Sequence, residues 1–294
     1  MKLAICPIAW INVGEPNWPV AEPGTMLAEM REAGFSATEM SRVLPKDVMA
    51  LREMLAAHDL RLAAAYLPVT LMHDAFVDEE MAKARAHLSF CAAMDAVAIL
   101  QPSGNSRHWG REGPHPDVIA PTDAQWRRLA DGLNRLGDEA QSQNLTLCVH
   151  PHADTILETP DAVEVLLAMT DAATVSLCFD SGHLVYGGGD PYALAAAWAP
   201  RIRHVHLKDV RGEVLVETRV HRWDFFTAVR HNVFAAPGQG QLDFARLLAP
   251  LAKASYGGWL SVEAEQDPRL APPLATNRAA HGYLSAILET LPRH

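Results

Sequence analysis

The chain of 294 residues is long enough for one α/β barrel, since barrels of roughly 250 residues form a single domain, and its 49% hydrophobic and 20% charged residues can supply a large core. A formal charge of -10 spreads an acidic surface that repels a phosphate backbone, which argues against nucleic acid as a partner. No stretch approaches the roughly 20 apolar residues of a membrane span, and "MKLAICPIAW" enters a strand-like pattern without the layout of a cleavable leader, so no membrane partner and a cytoplasmic location are expected.

Along the chain, one unit repeats: a short β-rich apolar run, a polar turn, then an Ala/Leu-rich stretch at helical period. The runs are "LAICPIAW" (3 to 10), "SATEM" (36 to 40), "RLAAAYLPV" (61 to 69), "AVAILQPS" (96 to 103), "LTLCVHPH" (145 to 152), "VSLCFDSGH" (175 to 183), "IRHVHLKDV" (202 to 210) and "GWLSVEAEQ" (258 to 266). Between them, stretches such as "GTMLAEMREAGF", "DVMALREMLAAHDL", "DEEMAKARAHLSFCAAMDA" and "DAQWRRLADGLNRLGDEAQSQN" return apolar residues every three or four positions and predict helices. Eight near-continuous apolar strands alternating with helices predict a parallel sheet closed as a (β/α)8 TIM barrel. An open doubly wound sheet would bring a glycine-rich phosphate turn after the first strand, and "PIAWINVGEPNWP" has none.

The whole chain, 1–294, is expected to be a single domain. Its Pro/Gly-rich stretches at about 12–24, 102–121 and 211–241 each follow a strand and read as long βα loops walling the C-terminal mouth. The stretch from Arg211 to Gly257 is long for such a connection, and its aromatics could cover the mouth or meet a neighbouring subunit; a homo-oligomer stays open. Asp190 followed by Pro191 reads as a helix start. Cys6, Cys91, Cys148 and Cys178 have no short paired spacing and are expected to be reduced core thiols.

Ionisable residues interrupt the apolar strands mainly towards their C-terminal ends. Strand two carries Glu39, strand five His150 and His152, strand six Asp180 and His183, strand seven His204, His206 and Lys208, strand eight Glu263 and Glu265. Singly each has a structural explanation: a hydrogen-bonded imidazole, a turn-capping Asp180, a solvated Glu265. Together they converge on one ring, where carboxylates repel one another unless a cation sits among them. Mixed imidazole and carboxylate donors suit a single divalent ion of the borderline type, Mn, Co, Fe or Zn, while Mg or Ca would prefer an all-oxygen set. The ion expected is Mn or Co, with Zn, Fe or Mg as alternatives. Alternation puts His150 with His152 on one face, and His204, His206 and Lys208 on another, so depth along the strand selects the ligand.

The motifs "CPIAWIN", "GFSATEMSRVLPKD", "HPHADTILET", "FDSGHLVYGGGDP", "RIRHVHLKDVR", "VFAAPGQGQLDF" and "GGWLSVEAEQDP" span nearly the whole chain. In this order the sequence resembles the xylose-isomerase-like superfamily of sugar isomerases and epimerases, and within it the inosose dehydratases of inositol catabolism. The resemblance implies a metal held by His150, Asp180, His206 and Glu263. The wider superfamily usually has Glu at the first of these positions; His150 in "HPH" favours the dehydratase branch and removes one of the paired carboxylates that a two-base epimerase uses. It also implies a lyase that dehydrates 2-keto-myo-inositol (scyllo-inosose) or a related cyclic polyhydroxyketone, with an isomerase or epimerase of a keto-sugar or keto-inositol as the alternative.

Such a dehydration needs a polarised ketone, removal of its α-proton and help for the departing β-hydroxyl. Lys208, His183, His152 and Glu263 are the expected proton-transfer residues, without assignment of acid and base. Glu39, Trp10, Asn12 and Arg211 are expected to contact the substrate, a small cyclic polyol ketone or sugar. A dehydratase of a cyclic keto acid would instead call on Arg107 and Arg211, and a barrel nuclease would need a basic face that the charge opposes.

Overall fold

The computed structural model describes residues 1–11, 17–72, 74–75, 77–103 and 121–292. Ten strands occur among them: β1 (Lys2–Ile5), β2 (Ala37–Glu39), β3 (Arg61–Val69), β4 (Val97–Pro102), β5 (Leu147–Val149), β6 (Val175–Asp180), β7 (Ile202–Leu207), β8 (Asp209–Val210), β9 (Phe234–Ala235) and β10 (Trp259–Val262). Eight of them close a parallel barrel in the order β1-β10-β7-β6-β5-β4-β3-β2, and β8 and β9 form a separate antiparallel ribbon. The (β/α)8 barrel expected from the strand–helix alternation is therefore the fold.

The four quoted helical stretches form the helices Pro23–Glu32, Val48–Ala56, Val77–Met94 and Asp123–Ser142, whose buried leucines and methionines join the main apolar core. Thr122 caps the last of these with a reciprocal box to Gln125, and Asp190 caps Pro191–Trp198 by accepting from Tyr192 N and Ala193 N. Smaller apolar clusters are Ala64, Ile99, Cys148 and Cys178, and Ala4, Ala37 and Ala63 with Trp259 packed against them. All four cysteines are free thiols. No helix among the described residues is long and apolar enough to cross a membrane.

The first run departs from its expected form. β1 stops at Ile5, and "IAWI" winds into the short helix Ile8–Ile11, because an unbroken apolar run has no period to separate strand from helix. The long stretch after β7 folds into β8, the helices Gly212–His221 and Phe225–Arg230, β9, and the barrel helix Phe244–Lys253. Buried Asp209 knots this stretch together: its carboxylate accepts from the backbone N–H groups of Val210, Gly238, Gly240 and Leu242 at 2.9–3.1 Å. Gly240 is required there, since a Cβ would fall 2.4 Å from Asp209 Oδ1, and Gly238 takes φ +87°.

Candidate active site

His150 follows β5, Asp180 ends β6, His206 lies near the end of β7 and Glu263 follows β10, so the four residues sit at one end of four adjacent barrel strands. All are buried, and one donor atom from each lies within 4.8 Å of the others. His150 Nε2 is 3.6 Å and His206 Nδ1 3.5 Å from Asp180 Oδ2, and His206 Nδ1 is 2.6 Å from Glu263 Oε2. Asp180 divides its work. Oδ1 accepts from His183 N at 2.8 Å and caps the helix Ser181–Tyr186, while Oδ2 faces the cluster.

Among the described residues, both ring nitrogens of His150, Asp180 Oδ2, His206 Nδ1 and Glu263 Oε2 are buried without a well-formed hydrogen bond. Unpartnered buried polar atoms each cost about 1–3 kcal/mol, and several converging at one point mark a position for an ion. Two imidazoles and two carboxylates fit a borderline divalent cation. The donor set therefore fits the metal that the resemblance implies.

Lys208 lies beside this cluster, fully buried. Its Nζ is 2.8 Å from Glu265 Oε2, 3.0 Å from Glu263 Oε1, 2.8 Å from His183 Nε2 and 4.7 Å from the centre of the Phe234 ring. Two features hold it: Ser181 Oγ bonds the Lys208 backbone O and N, and Gly182 leaves the space its stem fills, since a Cβ there would meet Lys208 Cγ at 2.5 Å. Burial alone would lower the lysine pKa, but Glu263, Glu265 and Asp180 outweigh it and hold the ammonium above its ordinary range. Burial would raise Glu263, which the charges of Lys208 and His206 instead pull down to about 2. Glu265 moves the other way: burial raises it, Lys208 opposes in part, and Glu263 adds to the rise.

His152 and His183 pack together beside Lys208, their ring centroids 3.7 Å apart. Burial, then the charges of His150 and Lys208, push His152 down to about 3. Burial and His152 likewise hold His183 well below the usual imidazole range. Phe225 and Phe234, from the long stretch after β7, pack on these rings at 5.2–6.0 Å. That stretch thus lays aromatics against its own chain's site.

Lys208, His183, His152 and Glu263, expected to move protons, are brought together with the four expected ligands. The expected substrate contacts divide. Glu39 is in the barrel, where its Oε1 is engaged by His204 Nε2 at 2.8 Å and His206 Nε2 at 3.2 Å. Trp10 is buried in the apolar core with its indole N–H on Glu29 Oε2 at 2.6 Å. Arg211 donates to the carbonyls of Asn232 and Phe234 at 2.8 Å, bracing the ribbon. Asn12 and Arg107 lie outside the described residues.

Two neighbours escape a reading by residue type alone. Glu265 is buried on Lys208 rather than solvated, and its spacing of two from Glu263 was the available signal. Tyr66 on β3 stays 38% exposed beside the His150 ring, with centroids 6.1 Å apart. It stands two residues after core Ala64, in a run that otherwise reads as plain apolar strand.

The family described as xylose isomerase-like TIM barrel matches residues 27–287. The chain belongs to that family. Within it, the chain is 36% identical over 296 residues to the inosose dehydratase of Geobacillus kaustophilus, covering 99% of this chain and 96% of the relative. It is 36% identical over 289 residues to that of Clostridium beijerinckii, covering 97% and 96%. This xylose isomerase-like barrel is thus an enzyme of the dehydratase, or lyase, branch. Among solved structures, an L-ribulose 3-epimerase shares its fold with a TM-score of 0.70 at 19% identity, covering 98% of this chain and 95% of the other. A probable 3-DHS dehydratase from Bacillus anthracis does so with a TM-score of 0.70 at 13% identity, covering 97% and 99%.

Proposed function

We propose that this barrel catalyses the metal-dependent dehydration of scyllo-inosose, or of a closely related cyclic polyhydroxyketone, through an enolate. The observation that carries the reading is the convergence of buried donor atoms on His150, Asp180, His206 and Glu263 that lack well-formed hydrogen bonds, set against a lysine flanked by two carboxylates. A divalent cation held there, Mn or Co by preference, would polarise the substrate ketone and acidify the adjacent C–H.

The chain's own groups supply the proton transfers. Lys208, kept as an ammonium, is a hydrogen-bond donor for the enolate oxygen or the departing hydroxyl. Glu263 and Glu265 straddle its Nζ at 3.0 and 2.8 Å, which places two carboxylates to take up or return the proton that Lys208 handles. His152 and His183, packed under Phe225, wall the site beside Lys208 and help to exclude water, with His183 Nε2 placed to exchange a proton with Lys208 Nζ. Elimination removes the α-proton, expels the β-hydroxyl as water, and leaves an enol that settles as a dione. The substrate is a small cyclic polyol ketone, and cytoplasmic work on such a metabolite suits the chain.

An isomerase or epimerase of a keto-sugar or keto-inositol is the second reading, supported by a fold shared with L-ribulose 3-epimerase. Incubation of the purified protein with scyllo-inosose and Mn(II) or Co(II), followed by mass spectrometry, separates them. Loss of one water to give a dione is expected; stereoisomers of unchanged mass would replace the lyase reading by the second.

A further inference from the structure

Glu39 is a buried carboxylate whose partners come from the far side of the sequence, 165 and 167 residues away. The pairing register of β2 with β3 shifts between Thr38 and Glu39, an irregularity of the kind that re-aims a side chain, and Thr38 Oγ1 fastens the segment to Ile5 O at 3.2 Å. An ionised carboxylate only accepts, so His204 and His206 both present Nε2–H to Oε1. The proton on Nε2 of His206 leaves the lone pair on Nδ1, the atom that faces Asp180 and Glu263 without a well-formed hydrogen bond.

We propose that Glu39 is a positioning residue of the metal centre: it holds the Nε2–H of His206, fixes the ring's tautomer and tilt, and makes Nδ1 a better donor to the cation. This rests on the reading of His150, Asp180, His206 and Glu263 as a metal site. His204 is the second anchor, keeping the carboxylate aimed at His206. Such a carboxylate behind a ligating imidazole both orients it and raises its basicity. Glu39, His204 and His206 also group closely enough to hold an ion themselves. Their contacts, however, are formed hydrogen bonds, whereas the donors on the other side of His206 approach one another without a well-formed hydrogen bond.

The test uses the full chain with Co(II) alone as probe, read by competition against a chromogenic chelator and by the Co(II) d–d spectrum. Glu39→Gln should weaken Co(II) roughly 10- to 100-fold and shift the d–d bands, with one ion per chain retained. Glu39→Asp should recover part of that loss. His204→Asn reads the same network from its other anchor, should weaken binding less, and serves if Glu39→Gln fails to fold. Unchanged affinity and spectrum in Glu39→Gln, or in His204→Asn where the first variant cannot be prepared, would overturn the proposal. So would two ions per wild-type chain with one lost in Glu39→Gln, which would make Glu39 a ligand. If Asp180→Asn binds Co(II) as the wild type does, the metal-site reading itself fails, whatever Glu39 does.

Discussion

Cys148 and His150 stand two residues apart in one run, as do Cys178 and Asp180 in the next, so each pair is separated by about 7 Å along an extended chain. The lower members close an apolar cluster with Ala64 and Ile99, and burial keeps both thiols protonated, Cys178 being pushed up to about 11. The upper members are equally buried, but both ring nitrogens of His150 and Oδ2 of Asp180 lack a well-formed hydrogen bond. Three buried carboxylates, Asp180, Glu263 and Glu265, gather in this upper layer around Lys208. Burial is therefore the same in the two layers, and satisfaction is what differs: Cys148 is finished by packing, while the donors above it, with Cys178 Sγ close to His150 and His206, are finished only by a ligand.

Replacing Lys208 with Met tests the upper layer most severely. Turnover should fall roughly 100- to 10,000-fold, as for loss of a proton-transfer or charge-stabilising group, while metal content stays near that of the wild type. Retained turnover would remove Lys208 from the chemistry.

His87 offers a contrast outside the barrel: an imidazole buried for structure, with Nε2 3.0 Å from the Ala65 carbonyl. Burial lowers it from 6.5 to about 4, the carbonyl opposing in part. Between those values the unfolded chain binds the proton and the folded one does not, so stability is lost as pH falls from 6.5 towards 4. The full effect is on the order of 3 kcal/mol. Urea midpoints at pH 7 and pH 5 should differ more in the wild type than in His87→Gln; equal differences would show that His87 is not the group responsible. The smallest effect belongs to the lower barrel layer, where Cys148→Ala should cost about 1 kcal/mol of stability.

The barrel was legible because eight β-rich runs alternate with helical periods, and that pattern depends only on neighbours in sequence. The ring of ionisable residues was legible for the same reason, since strand ends of a parallel barrel share one mouth. What escaped depends on distant partners. Glu39 meets its partners, His204 and His206, only in the closed barrel. Trp10 has its partner, Glu29, on the following helix, which leaves no trace in the strand pattern. Arg211 is absorbed by carbonyls that exist only once the ribbon has formed. Glu265 reads as a solvated charge until Lys208 is seen to be fully buried beside it.

The central claim, that the upper layer is a metal centre and the lower one is not, is tested most directly by metal stoichiometry. Wild type, His150→Ala and Cys148→Ala would be dialysed against Mn(II) and analysed by mass spectrometry of the metal. One ion per chain in the wild type and in Cys148→Ala, and almost none in His150→Ala, is the expected result. Equal metal in all three, or none in the wild type, would contradict the account.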